Sequence, residues 1–332
     1  MRVILEAPLF VSTQVSRDPL ALSALFNLFL EKTCHSLEID PPDAPEFHEW
    51  RKTLREAERS EVELILDDSI QRQLRDPPAS IIRIADVPEV KWVNDVPRFP
   101  LREAISLLHK PLRVLIEGVN DESFLHSAVP HFYRARFEDW SKRELVTLEY
   151  RGGLPNLQHT LGQECQVRER RLRLFVMIDS DARKRGEPSA ESKDVARLCE
   201  RGRLAHHQLE RRAIENYLPE PALEVWLKQN HSSDFSPTWL PRLRAFRELT
   251  EEQRHHYNMK HGLKKDREGG GLADIFESLV AQKPDHALLL EGGFGEVARC
   301  FRKGNSIPEA WRDADGQKPE LMNLFEKMLR AA

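Results

Sequence analysis

The chain is poor in the features that staple small or secreted folds. Its four cysteines, Cys34, Cys165, Cys199 and Cys300, lie far apart without a C-x-x-C pair, so neither a zinc knuckle nor a disulfide framework is encoded. They are expected to be reduced core or surface thiols. No run approaches the roughly 18 apolar residues of a membrane span. The start, Met1-Arg2-Val3-Ile4-Leu5-Glu6-Ala7-Pro8, meets an acid and a proline before an h-region forms. That predicts a cytoplasmic protein that does not engage a membrane. No P-loop is present either: the glycines of Glu291-Gly292-Gly293-Phe294-Gly295-Glu296 are not followed by Lys-Ser/Thr, and read as a turn before a helix.

What remains is ordinary soluble composition, 332 residues with 40% apolar and 31% charged, enough for two domains. The net charge of −4 is unevenly spread. Residues 1–109 carry 13 Lys/Arg against 19 Asp/Glu, whereas residues 110–220 carry 20 against 18.

The informative feature is a pair of acidic clusters, each behind a short apolar run. Val114-Leu115-Ile116 ends in Glu117-Gly118 with Asp121 beyond, and Leu174 to Ile178 ends in Asp179-Ser180-Asp181. Around them the pattern alternates: strand 112–116, helix 120–132, strand 145–150, a Gly152-Gly153 turn, helix 154–163, strand 172–178. Such β-α-β-α-β alternation predicts an α/β fold with a Rossmann-like parallel sheet, whose ligands bind beyond the C-terminal strand ends. Both clusters fall there.

Before this core, residues 1–109 read as a separate mixed α/β segment with a helix at 18–35, a Pro-rich break at 40–45, a charged helix at 45–60, and strands at 62–66 and 80–84. It carries no chemical motif, and a regulatory or partner-binding role follows only from position. After the core, residues 209–219 read as helical, and residues 221–332 form a mostly helical C-terminal extension with helices at 221–229, 240–253, 272–280 and 319–332.

Carboxylates at two strand ends suit a hard divalent cation, which takes oxygen ligands in near-octahedral geometry. Glu117 and Asp121 can face one point. Asp179 and Asp181, two apart in an extended chain, put both side chains on one side. The four could hold one or two ions and support phosphodiester chemistry. With them neutralised, residues 110–220 carry 20 basic residues against 14 acidic, a balance that suits a polyanionic substrate.

The stretch Glu117-Gly118-Val119-Asn120-Asp121 followed by Asp179-Ser180-Asp181 resembles the TOPRIM domain of topoisomerases, bacterial primases, recombination mediators and a group of nucleases. The resemblance covers residues 110–220, a third of the chain. It makes Glu117 the family's glutamate, Asp179 and Asp181 its Asp-x-Asp pair, and Asp121 the further acid of the nuclease branch. Absent zinc cysteines set the primase and mediator branches aside, and none of Tyr133, Tyr150, Tyr217 or Tyr257 has the context of a topoisomerase nucleophile. Arg212-Ala213-Ile214-Glu215-Asn216-Tyr217-Leu218 is similar to the R-x-I-E-N-Y-L signature of OLD-like TOPRIM nucleases and of related bacterial proteins that work beside ABC-type ATPases in antiphage defence.

That resemblance implies a Mg²⁺- or Mn²⁺-dependent endonuclease, acting on DNA or an RNA such as tRNA as a toxic effector. Metal would be held by Glu117, Asp121, Asp179 and Asp181. Glu215 would be a ligand or stand just behind one, and a late lysine would reach the scissile phosphate, with Lys260 favoured over Lys264 and Lys265. Arg183, Lys184, Arg211 and Arg212 are the expected nucleic-acid contacts. The ATPase would be encoded separately, and a homo-oligomer is compatible. The rival reading is a non-catalytic TOPRIM module that binds nucleic acid or a partner. An aspartyl-nucleophile phosphatase fails, because its Asp-x-Asp follows the first strand and here it follows the third.

Other groups read as packing. His206-His207 and His255-His256 are adjacent pairs that form no H-x-x-x-H site. The Arg168-Arg170-Arg171-Arg173 run either contacts nucleic acid or fringes a sheet edge.

Overall fold

A computed structural model describes residues 1–30, 35–75, 80–269, 271–302 and 307–332. The expectation for Cys34 lies outside the described residues. The chain is α/β, with two parallel-dominated sheets and a helical C-terminal region. No helix among the described residues is long and apolar enough to cross a membrane.

The N-terminal sheet contains β1 (Arg2–Glu6), β2 (Ser36–Asp40), β3 (Ile81–Ile84), β4 (Lys91–Val93) and β5 (Val96–Phe99), in the order β2-β1-β3-β5-β4. All its pairings are parallel except β4 with β5. The apolar run at 62–66, expected as a strand, lies inside helix Glu56–Arg75. Val62, Ile65 and Ser69 are its buried positions, spaced three and four apart, and the Ser69 hydroxyl accepts from Leu37 N at 2.9 Å. A five-residue stretch such as Val62-Glu63-Leu64-Ile65-Leu66 cannot distinguish strand from helix, and the face it buries decides.

The second sheet contains β6 (Leu112–Ile116), β7 (Val146–Tyr150), β8 (Leu174–Ile178) and β9 (Ala205–Gln208), all parallel, in the order β7-β6-β8-β9. The strands β6 and β8 are central, which is why they are nearly continuous apolar runs: both faces are covered. Leu112, Val114 and Ile116 pack with Phe175 and Met177 on one face, while Leu115, Leu174, Val176 and Ile178 pack on the other. Helices Leu154–Glu164 and Ala190–Gly202 cover the second face. Helices Val119–Ala128 and His131–Lys142 cover the first, separated at Pro130, whereas the sequence pattern predicts one helix over 120–132.

The C-terminal helices are continuous with that first core. The rings of Phe137 and Phe325 meet edge to face at 5.5 Å, and helix Lys318–Ala331 places Glu320 3.2 Å from His207 of β9. The two histidines of β9 point apart, as a strand requires, and His207 is the buried one.

Two expectations near the joint of the sheets change. Arg168–Arg173 is a 3-10 turn, and β8 starts only at Leu174. Arg168 and Arg171 lie 4.3 and 4.7 Å from the Trp92 ring, and buried Arg173 donates to Lys110 O at 2.8 Å. These arginines fasten one sheet to the other.

Candidate functional site

Adjacent β6 and β8 are the first and third strands of their sheet, so the crevice between their C-terminal ends is the point where strand order reverses. Glu117 stands at one end and Asp179 at the other. The Glu117 carbonyl accepts from Gly152 N at 2.8 Å and Gly153 N at 3.1 Å, both glycines lying at positive φ. Its side-chain Oε1 accepts from Asp179 N at 2.9 Å. Asp121, in the first turn of helix Val119–Ala128, accepts from Gly118 N at 2.7 Å. That bond satisfies a free N–H at the helix start and buries Asp121.

The second cluster departs from the extended geometry expected for it. Strand β8 stops at Ile178, and Asp181 takes a left-handed conformation at φ 49° that Asp tolerates better than most residues. Hydrogen bonds impose the turn. Ser180 Oγ donates to Arg211 O at 2.7 Å, Asp181 N donates to Arg212 O at 2.7 Å, and Ser192 Oγ donates to Asp179 O at 2.6 Å. Asp181 is exposed, whereas Asp179 Oδ1 is buried with no hydrogen-bond partner among the described residues.

Glu215 arrives from a segment that is not the helix expected over 209–219. Only Ile214–Tyr217 is helical, as one 3-10 turn ahead of Pro219. Asn216 sets it: its Oδ1 accepts from Ala213 N at 3.2 Å, and its Nδ2 donates to Arg254 O and Tyr257 O, both at 2.9 Å. In the sequence Asn216 stands out only as part of the Arg212–Leu218 signature. Its amide ties the Glu215 turn to the segment that carries Lys260.

Of the three candidate lysines, Lys260 reaches the acids, with Nζ 2.9 Å from Glu215 Oε1. Lys264 and Lys265 are exposed on helix Gly262–Glu268. The Lys260 loop leans on the glycine turn at 292–295. Phe294 N donates to Met259 O at 2.6 Å and Gly295 N to Lys260 O at 3.2 Å. A Cβ on Gly293 would lie 2.3 Å from the Lys260 carbonyl carbon. Backbone packs on backbone here, so only glycine fits. The substitution Gly293→Ala is expected to cost about 1–3 kcal/mol through overpacking and to displace Lys260. Urea unfolding reads the first effect.

The structure does not offer Arg211 and Arg212 to a nucleic acid. Arg211 is 5% exposed, donates to Asn216 O at 2.8 Å and Asp315 Oδ2 at 2.5 Å, and stacks on the Tyr217 ring. Arg212 forms a two-pronged pair with buried Asp266 at 2.6 and 2.7 Å. Both guanidiniums hold the C-terminal region against the site. Arg183 and Lys184 lie nearer the surface, where Arg183 donates to Gly269 O at 2.7 Å and Gly271 O at 3.1 Å, and Lys184 pairs with Asp274 at 3.1 Å.

Five carboxylates therefore face one ammonium, Lys260. Burial, then repulsion from Asp121 and Asp181, pushes Glu117 up to about 8. Burial and the charge of Glu215 raise Asp121 to about 6. Asp179 is held well above the carboxylate range by burial and by Glu117, Asp121 and Glu215. Burial works against a charged Lys260, but Glu215, Asp179 and Asp121 outweigh it and raise its pKa.

The donor set fits a hard divalent cation: oxygen ligands, an orphaned Asp179 oxygen, and repulsion that a cation would relieve. Among the described residues, no three His, Cys, Asp or Glu side chains already stand in ion-holding geometry. Backbone N–H groups hold the carboxylates instead, Asp121 on Gly118 and Glu117 on Asp179, so the ligands would have to turn to converge.

No family model, curated protein or solved structure matches this chain.

Proposed function

We propose that this protein is a divalent-metal-dependent nuclease of TOPRIM type, in the OLD-like branch. The observation that carries the reading is the gathering of Glu117, Asp121, Asp179 and Glu215 at the switch point of a parallel sheet, near enough to repel one another, with Lys260 paired to Glu215 among them. Residues more than 140 apart in sequence meet there, which local caps and solvated surface acids would not require.

Glu117, Asp121, Asp179 and Asp181 would hold one or two Mg²⁺ or Mn²⁺ ions, with Glu215 beside them. The ions would supply activation of water and charge neutralisation at the phosphate. The chain's own residues have separable tasks. Lys260, kept protonated by the acids around it, carries a positive charge that Glu215 positions and that can stabilise charge developing on a phosphate oxygen. The Gly118 and Asp179 backbone N–H groups fix Asp121 and Glu117 until a cation competes for them. The substrate in this reading is DNA or an RNA such as tRNA, and the role is that of a toxic effector in antiphage defence, beside a separately encoded ABC-type ATPase.

The test is incubation of purified protein with plasmid, single-stranded DNA and total tRNA in Mg²⁺ or Mn²⁺. Cleavage is expected to disappear in Asp179→Asn and to fall roughly a hundredfold in Lys260→Ala, the scale of one lost transition-state contact. Full cleavage by Asp179→Asn would sink the site. Silence of the wild type on every substrate would favour a non-catalytic binding module.

A further inference from the structure

At the far end of β6 from Glu117, a cavity of about 510 Å³ opens at the joint between the two sheets. Its size falls within the roughly 300–1,000 Å³ of small-molecule sites. Phe99 and Leu107 from the N-terminal segment and Val167 from the second sheet's flank supply apolar wall.

The charged lining separates into groups already engaged and groups still available. Arg113 is engaged, donating to Glu149 at 2.8 Å and to Glu164 Oε1 at 2.9 Å. Glu169 accepts from the Trp92 indole at 2.7 Å. Lys110 and Arg170 are exposed on the cavity wall, and no ion pair among the described residues holds either side chain. Glu164 is 8% exposed, and its second oxygen, Oε2, is buried with no hydrogen-bond partner among the described residues. A buried acceptor left unpaired costs on the order of 1–3 kcal/mol, so such atoms are rare and point to a missing donor.

We infer that this cavity binds a small phosphomonoester that also carries hydrogen-bond donors, the chemical class of a nucleoside monophosphate. The phosphate would lie between Lys110 and Arg170, which present charge with no competing ion pair among the described residues. A flat apolar body would lie along Phe99, Leu107 and Val167. An amine or hydroxyl would give Glu164 the donor it lacks, and Glu103, also on the wall, is a second acceptor. A plain anion would leave the Glu164 oxygen unpaired, and a neutral apolar ligand would leave both cations unused. The chemistry of the wall therefore selects a molecule with both ends.

The probes are adenosine monophosphate, inorganic phosphate and adenosine, titrated calorimetrically into the full chain. Adenosine monophosphate is expected to bind saturably and more tightly than either fragment. Lys110→Glu combined with Arg170→Glu, both at exposed positions, should weaken it at least tenfold while leaving the ligand-free melting curve unchanged. Glu164→Gln should weaken the monophosphate and adenosine but not phosphate. Glu117→Gln, in the acidic crevice, should change none of these, which separates this site from the proposed catalytic one. No saturable binding up to about 10 mM, where affinity is below roughly 3 kcal/mol, would overturn the inference. So would monophosphate binding that survives the double charge reversal, or that is lost in Glu117→Gln alone.

Discussion

On the proposed nuclease reading, Glu117→Gln is expected to lose nearly all divalent-dependent cleavage and, without metal, to be more stable than the wild type. The glutamine amide oxygen can keep the bond from Asp179 N, so the backbone need not shift while the charge disappears. Removing one ligand charge from a metal-braced phosphate is worth about 4 kcal/mol of barrier, roughly a thousandfold in rate. The stability gain has the opposite origin. Glu117 has a folded pKa of about 8 against an ordinary value of 4.5, so between those limits the unfolded chain releases a proton that the folded one retains. Wild-type stability therefore falls as pH rises through that window, and glutamine does not pay this penalty. Denaturant unfolding should show the variant more stable by on the order of 1–3 kcal/mol at pH 8, and equal near pH 4. Added Mg²⁺ should restore the wild type at pH 8 and do little for the variant, because a cation binds the ionised form. A variant no more stable than wild type at pH 8 would show that Glu117 is not under charge stress.

Arg212→Ala is expected to act on folding and not on nucleic-acid affinity. It leaves Asp266, 4% exposed at its side chain, as a buried carboxylate without its two-pronged partner. Breaking such a pair from one side costs about 3–5 kcal/mol, a large part of a typical stability of roughly 5–15 kcal/mol. Thermal or urea unfolding reads this directly. Were Arg212 a phosphate contact, the melting curve would hold and the salt dependence of nucleic-acid binding would drop by about one counterion. That second outcome would reverse the assignment made from the structure.

Arg212 belongs to the short signature that runs to Leu218. In sequence, Arg212, Glu215 and Asn216 look alike as polar residues near a site. In the fold they divide: Glu215 faces the acids and Lys260, Arg212 turns to Asp266, and Asn216 holds the carbonyls of Arg254 and Tyr257. Charge alone does not reveal which way a side chain points when its partner lies 38 to 54 residues away.

Several things were legible in the residues by themselves. The apolar runs of β6 and β8, each closed by acids, announced a parallel sheet with carboxylates at its strand ends, because a strand buried on both faces must be apolar throughout and polarity returns where it leaves the core. Strand order, the turned Asp179-Ser180-Asp181 corner, the pairing of Lys260 with Glu215 and the inward arginines were decided only by tertiary structure. So were β9, whose Ala-His-His-Gln is too polar and short to signal a strand, and the helix over 56–75. Local periodicity records which face a segment buries, whereas these features depend on contacts between distant segments. Such contacts are selected by packing and by the pairing of buried charge, and leave no spacing to be read in the chain.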